Sequence, residues 1–293
     1  MQNTKRGIVF GIFLVSLILV VSVVVVAKPG FFIPASNKGG ATVIVPAHAI
    51  EIAPGLFSLG TARDVDGRVV EGFMFIDKKK ENAKPGAECG NDICESGENA
   101  RKCPADCSNG GEDPAPKKTC FSIYAKGARW KKTEPYVTSA EVDLTVTEKS
   151  LNTWDSKIKS FNIFGTGSSG TTDGRDEILP DGKNEVDFDD LGTEGTVAVT
   201  ITWIILRGPP GERELIEWDT SFNNNYDFGD ADNNSLPLMD YQNIATHEFG
   251  HSLGLGHPDD SCTEETMYRF VAFNEIKKRD LNKGDIAGVK KLY

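Results

Sequence analysis

His247 and His251 stand four residues apart, with Glu248 beside the first and His257 six residues beyond the second. On a helix, side chains at i and i+4 lie one above the other on one face, so the first two imidazoles can reach a single ion. Neutral imidazole is a preferred ligand for zinc, and catalytic zinc sites use three protein ligands and leave one position open. Glu248, next to the first ligand, is placed to take a proton from water rather than to coordinate.

His257 can join the pair only if the helix stops, because a continued helix would carry it too far along the axis. Gly254 lies where the chain must turn, and glycine enters left-handed conformations without a Cβ penalty. The elements that must position these residues can be read from their patterns. Met239 to Gly254 reads as a helix, and Asp285 to Leu292 as a short last one. Ala140 to Lys159 reads as an amphipathic helix through Val142, Val146, Leu151, Trp154 and Ile158. Thr196 to Leu206 is a continuous β-branched and apolar run, the pattern of a strand buried on both faces. In Leu215 to Phe222, Ile216, Trp218, Thr220 and Phe222 alternate with Glu217, Asp219 and Ser221, which predicts a half-buried strand with one wet face. From Phe121 onward the chain is expected to form one α/β domain.

The string His247-Glu248-x-x-His251-x-x-Gly254-x-x-His257, with Met267 ten residues farther on, resembles the metzincins. The short interval from His257 to Met267, and the closing Leu281-x-x-x-Asp285-Ile286-x-Gly288-x-x-x-Leu292-Tyr293, are similar to matrixins. The resemblance covers about Arg129 to Tyr293. It implies an α+β zincin fold, a twisted mixed sheet packed on an active-site helix and a second long helix, with a short C-terminal subdomain. It implies that Met267 forms the Met-turn, an apolar base beneath the histidines. It also implies that an extended substrate lies antiparallel to an edge strand above the metal, with Leu215 to Phe222 the candidate edge. Pro258 departs from the pattern, since matrixins commonly have Ser after the third histidine. The second, structural zinc site of vertebrate matrixins cannot be built, because the one remaining histidine, His48, lies outside the domain.

The activity so implied is zinc-dependent endoproteolysis of proteins or peptides, with Zn²⁺ held by His247, His251 and His257 and Glu248 as the general base. A catalytically silent binding module on the same fold is the alternative, and the intact Glu248 argues against it.

Six cysteines divide into a group of four (Cys89, Cys94, Cys103, Cys107) and two outliers, Cys120 and Cys262. The spacing within the group is unlike the close pairs of zinc ribbons, and in an oxidising compartment two disulfides are a simpler account than a metal site. The segment resembles small cysteine repeats of exported archaeal and bacterial proteins. Cys120 and Cys262 then remain to pair with each other, the alternative being two separate buried thiols. Glu88-Cys89-Gly90 superficially echoes the cysteine that blocks zinc in matrixin pro-segments, but the three cysteines nearby favour a disulfide.

Gly7 to Ala27 is apolar and uncharged, follows Lys5 and Arg6, and is long enough to cross a bilayer. The basic pair predicts a cytoplasmic N-terminus, so everything after Lys28 is expected to be extracytoplasmic. A retained transmembrane anchor is favoured over a cleaved signal peptide, which would give a secreted protein. The expected divisions are residues 1–27 as this segment, 28–84 as a spacer and small β unit, 85–117 as the four-cysteine module and linker, and 118–293 as the catalytic domain. Within the β unit, Asp66-Gly67 between short strand-like runs predicts a hairpin.

A formal net charge of -11 over 293 residues argues against a nucleic-acid partner. Part of that charge sits in two acidic stretches. Asp173 to Glu194 holds Asp173, Asp176, Glu177, Asp181, Glu185, Asp187, Asp189, Asp190 and Glu194, and Asn223 to Asp240 has Asp227, Asp230, Asp232 and Asp240. Clustered oxygen ligands of this kind make Ca²⁺ a second candidate ion, with solvated acidic loops the alternative.

Overall fold

The structure is a computed structural model that describes residues 45–80, 119–173, 178–192, 195–234 and 236–293, with the backbone of Phe32–Ile33. Residues 7–27 and the four-cysteine group, Cys89 included, lie outside the described residues. Among the described residues no helix is long and apolar enough to cross a membrane.

One twisted mixed sheet organises the molecule. Its strands are β1 (Ile50–Ala53), β2 (Leu56–Arg63), β3 (Val69–Lys79), β4 (Glu134–Thr138), β5 (Phe164–Ser169), β6 (Glu185–Asp189), β7 (Thr196–Ile205), β8 (Glu214–Asn223) and β9 (Phe270–Val271). The order is β1-β2-β3-β7-β8-β6-β4-β5, with β9 pairing the end of β3. The β6, β4 and β5 pairings are parallel and β7 runs antiparallel to β8. Helices α1 (Leu144–Asp155) and α2 (Tyr241–Ser252) pack on one face, and α3 (Lys283–Leu292) closes the chain. This is the mixed α/β architecture expected from the sequence.

The main core lies between the sheet and the two long helices, around Trp154, Trp218, Phe222, Tyr241 and Phe249. A second apolar cluster, including Val70, Met74, Ile76, Val199, Ile201 and Trp203, covers the opposite face of β3 and β7. Helix α1 is amphipathic as its spacing demands, and Asp143 caps its N-terminus through Thr145 N and Val146 N. Every residue of α2 is buried, so periodicity alone could not have set its bounds.

Three expectations for the sheet fail. Glu214–Asn223 is not an edge: β8 lies between β7 and β6. Nor is its polar face wet, since Glu217 is buried with its carboxylate accepting from Asp181 N and Gly182 N. A polar side chain alternating in a strand signals a second environment, and here that environment is a loop rather than solvent. The 45–80 segment is also not a separate unit. Its hairpin, with Asp64 gathering Asp66 N and Arg68 N at the turn, extends the catalytic sheet by pairing β3 with β7.

Candidate metal centre

Asp240 caps α2 by accepting from Asn243 N at 2.9 Å, and it is itself gripped by Arg279, which also pairs with Asp230 and Asp232. Three carboxylates of the second acidic stretch therefore serve an arginine and a helix start rather than a cation. From that start, α2 runs under the sheet. The carbonyls of its last turns are taken by buried donors, Trp154 Nε1 to Thr246 O, Tyr124 OH to His251 O and Trp130 Nε1 to Ser252 O.

Gly254 has φ +102°, and a Cβ there would stand 2.9 Å from Leu292 and 3.0 Å from Ala125. The chain reverses at that point, and Leu255–Gly256 pairs with Ser122–Ile123. This returns His257 to the face of α2 that carries His247 and His251. The three rings come together with centroids 4.7–5.3 Å apart.

The outer nitrogens define the tautomers. His247 Nδ1 donates to Thr266 O at 2.6 Å and His251 Nδ1 to Leu255 O at 2.8 Å, which leaves Nε2 of each as a lone pair facing inward. Burial, reinforced by the Lys278 charge, lowers His247 to about 3. Burial likewise lowers His251. Both imidazoles are neutral at physiological pH. Behind His247, Asp285 of α3 accepts from Thr266 N and Met267 N at 2.8 and 3.1 Å, so the closing helix holds the turn that orients the His247 ring. Met267 packs against α2 at Gly250, where a Cβ would meet its sulfur and, at 2.7 Å, Trp154. The buried Lys278 ammonium donates to Tyr268 O and Phe270 O just beyond.

Sequence reasoning missed the fourth member of the cluster. Asp77, near the end of β3 and 1% exposed, has its carboxylate 3.3 Å from His247 Nε2, 3.4 Å from His251 Nε2 and 2.9 Å from His257 Nε2. The four groups form one potential metal-holding set. Oxygen and nitrogen lone pairs thus face one another in a buried space, and Asp77 Oδ1, Asp77 Oδ2 and His247 Nε2 have no hydrogen-bond partner. A cation among them would satisfy these buried groups, and the residues present fit a zinc ion. The one signal that could have found Asp77 is its place in β3, on the same side as the buried Phe73 and Phe75.

Glu248 lies beside the cluster, fully buried. Its Oε2 accepts from Thr200 Oγ1 at 2.6 Å while Oε1 has no partner. Burial, and then the adjacent Asp77 charge, push its carboxyl well above the usual range. A pocket of about 400 Å³, lined in part by Ile76, Lys78, His257, Arg269 and Phe270, opens beside the centre.

Residues 131–293 match the matrixin family, Peptidase_M10, over more than half of the 293-residue chain. The chain belongs to the matrixin family. Its local similarity to curated matrixins is concentrated in short stretches. It is 48% identical to matrilysin of Rattus norvegicus over 50 residues, 17% of this chain and 18% of that one. It is 40% identical to metalloendoproteinase 1-MMP of Arabidopsis thaliana over 65 residues, 22% of this chain and 17% of the relative. It is 44% identical to neutrophil collagenase of Homo sapiens over 50 residues, 17% and 10% respectively. The chain thus spans less than a fifth of the length of these relatives. The matrixin match begins at residue 131, so β4 to β9 lie within it and β1 to β3 lie before it.

Cys120 and Cys262 form a disulfide with Cα atoms 5.6 Å apart. It ties the segment between His257 and Met267 to the strand preceding Tyr124. At the far end of the sheet, ligand oxygens of Asp173, Asp181 and Glu185 lie within 4.8 Å of one another.

Proposed function

We propose that this matrixin is an extracytoplasmic zinc endopeptidase that cleaves protein or peptide substrates with Glu248 as its general base. The observation that carries the reading is the convergence of three imidazole Nε2 atoms, two with tautomers fixed by backbone carbonyls, beside a carboxylate with one tethered and one free oxygen. Bound by His247, His251 and His257, zinc supplies Lewis acidity, which polarises the scissile carbonyl and makes water acidic near neutral pH.

The remaining work belongs to the chain. Glu248 Oε1, free of hydrogen bonds, takes the water proton and returns it to the leaving amine. Thr200 holds Oε2 and so aims Oε1. Met267, Asp285 and Thr266 keep His247 from rotating. Burial of the cluster excludes bulk water, which strengthens each of these interactions. Strand β7, with β3 removed, presents the sheet edge along which an extended peptide can add by main-chain hydrogen bonds.

Ca²⁺ is the candidate second ion, at Asp173, Asp181 and Glu185. Glu185 is 2% exposed, its Oε1 has no hydrogen-bond partner, and Lys183 Nζ, the nearest cation among the described residues, is 3.8 Å away. The export reading rests on the basic pair and apolar run at the N-terminus and on the Cys120–Cys262 disulfide, a bond of oxidising compartments.

Elemental analysis and peptide hydrolysis test the catalytic reading together. Because Asp77 stands among the histidines, hydrolysis is assayed in Asp77→Ala as well as in the native chain. The expected result is one tightly bound zinc and, in Asp77→Ala, chelator-sensitive cleavage, with Glu248→Ala added to that background retaining zinc but losing about 10²–10⁴ of the rate. Metal retention with undiminished cleavage in Glu248→Ala would remove Glu248 from its role.

A further inference from the structure

The geometry points to Asp77 as a fourth protein ligand of the metal, delivered by a strand that occupies the cleft where an extended substrate would bind. The inference rests on the zinc reading above and concerns residues that lie before the family match. Strand β3 runs antiparallel to β7 from Glu71 opposite Ile204 to Lys78 opposite Thr196. Over its last residues it is also parallel to β9, with Phe270 opposite Lys78 and Val271 opposite Lys79. It thus satisfies backbone groups on both walls of the groove above the histidines, the edge a peptide substrate would need.

Both faces of the strand are committed. On one side Val70, Met74 and Ile76 join the cluster containing Trp203. On the other, Phe75 stacks on the His251 ring at 3.7 Å, and Asp77 follows two residues later, in the period-two register that aims it at the same place. A carboxylate needs a reason to be 1% exposed among imidazole lone pairs, and coordination supplies it. While the strand is docked, Asp77 holds the position that water and the scissile carbonyl require. The chain with β3 in place is therefore latent, and opening the groove requires the hairpin to leave β7. Gly72 is a handle on that docking remote from the metal, because a Cβ there would lie 2.6 Å from the Trp203 ring and 3.0 Å from Leu59.

The test uses the full chain loaded with Co²⁺, whose visible absorption reports the ligand set, titrated with acetohydroxamate as a small chelating probe. The native protein should bind the probe at least about ten-fold more weakly than Asp77→Ala, since the competent state is a minor fraction. Asp77→Asn, which keeps the side-chain shape, should shift the spectrum in the same direction and stands in if the alanine variant does not fold. Gly72→Val should gain probe binding with Asp77 intact, and limited proteolysis should then cut within residues 56–79, which the native chain resists. Equal probe binding by the native chain and the Asp77 variants overturns the inference while leaving the zinc reading standing. Failure of every form to take up a metal ion overturns both.

Discussion

Thr200 Oγ1, on β7, donates to Glu248 Oε2 at 2.6 Å and accepts from Thr220 Oγ1 at 2.9 Å. Two neighbouring strands thus fix a carboxylate that α2 alone would leave free to rotate. Thr200→Val keeps the shape and removes the donor. In the Asp77→Ala background it is expected to lower kcat about 3–10-fold, a part of the general-base contribution, with KM little changed and zinc retained. Steady-state kinetics with metal analysis checks it, and an unchanged kcat would reduce Thr200 to packing.

Gly250 is the point where Met267 touches α2. Gly250→Ala forces its methyl into Met267 and Trp154. Overpacking of this kind costs about 1–3 kcal/mol, and here the strain falls on the helix between His247 and His251. A lower melting temperature together with weaker zinc retention is expected. Loss of stability with unaltered zinc affinity would show that the turn only fills space.

The Cys120–Cys262 bond closes a loop spanning 142 positions. In the chain-entropy account such a cross-link stabilises by up to about 5 kcal/mol. Reduction should lower the melting temperature by roughly 5–15 °C for a domain of this size. Calorimetry with and without reductant decides the matter, and Cys120→Ser with Cys262→Ser should behave as the reduced protein does.

The acidic group at the far end of the sheet makes stability depend on pH. Burial pushes Glu185 and Glu217 from 4.5 up to about 7. Between these values the folded chain binds more protons than the unfolded one, so stability should fall as pH rises from about 4.5 to 7. A bound divalent cation favours the ionised carboxylates and should offset that loss. The expected signature is a Ca²⁺-dependent rise in melting temperature at pH 8, absent at pH 5 and diminished in Glu185→Gln. No Ca²⁺ effect at either pH would leave these residues as a protonated network.

The sequence carries the reactive string in full because its physics is local: one helical turn brings two histidines together, and a glycine permits the reversal that adds the third. Helix α1 followed from spacing for the same reason, its apolar stripe being local. What it did not carry was long-range partnership. Glu217 and Asp219 look like solvent-facing residues until β6 is known to lie alongside, placing Asp219 opposite Glu185. Asp77 looks like the end of a charged strand until β7 and α2 close around it. Asp230, Asp232 and Asp240 resemble a cation site until Arg279, from much later in the chain, arrives among them. Each of these depends on a partner that no local pattern specifies.

The pairing of β3 with β7 bears on the order in which the molecule assembles. Strands β7 and β8 are near neighbours in the chain and pair at little cost in loop closure, whereas Glu71 must find Ile204 far downstream. Contacts of such separation form late. The hairpin is expected to dock after the rest of the sheet exists to receive it. A domain that can build its remaining strands first is also one from which that hairpin can be withdrawn without unravelling the whole. Late arrival and reversible departure are the same property seen from opposite directions in time.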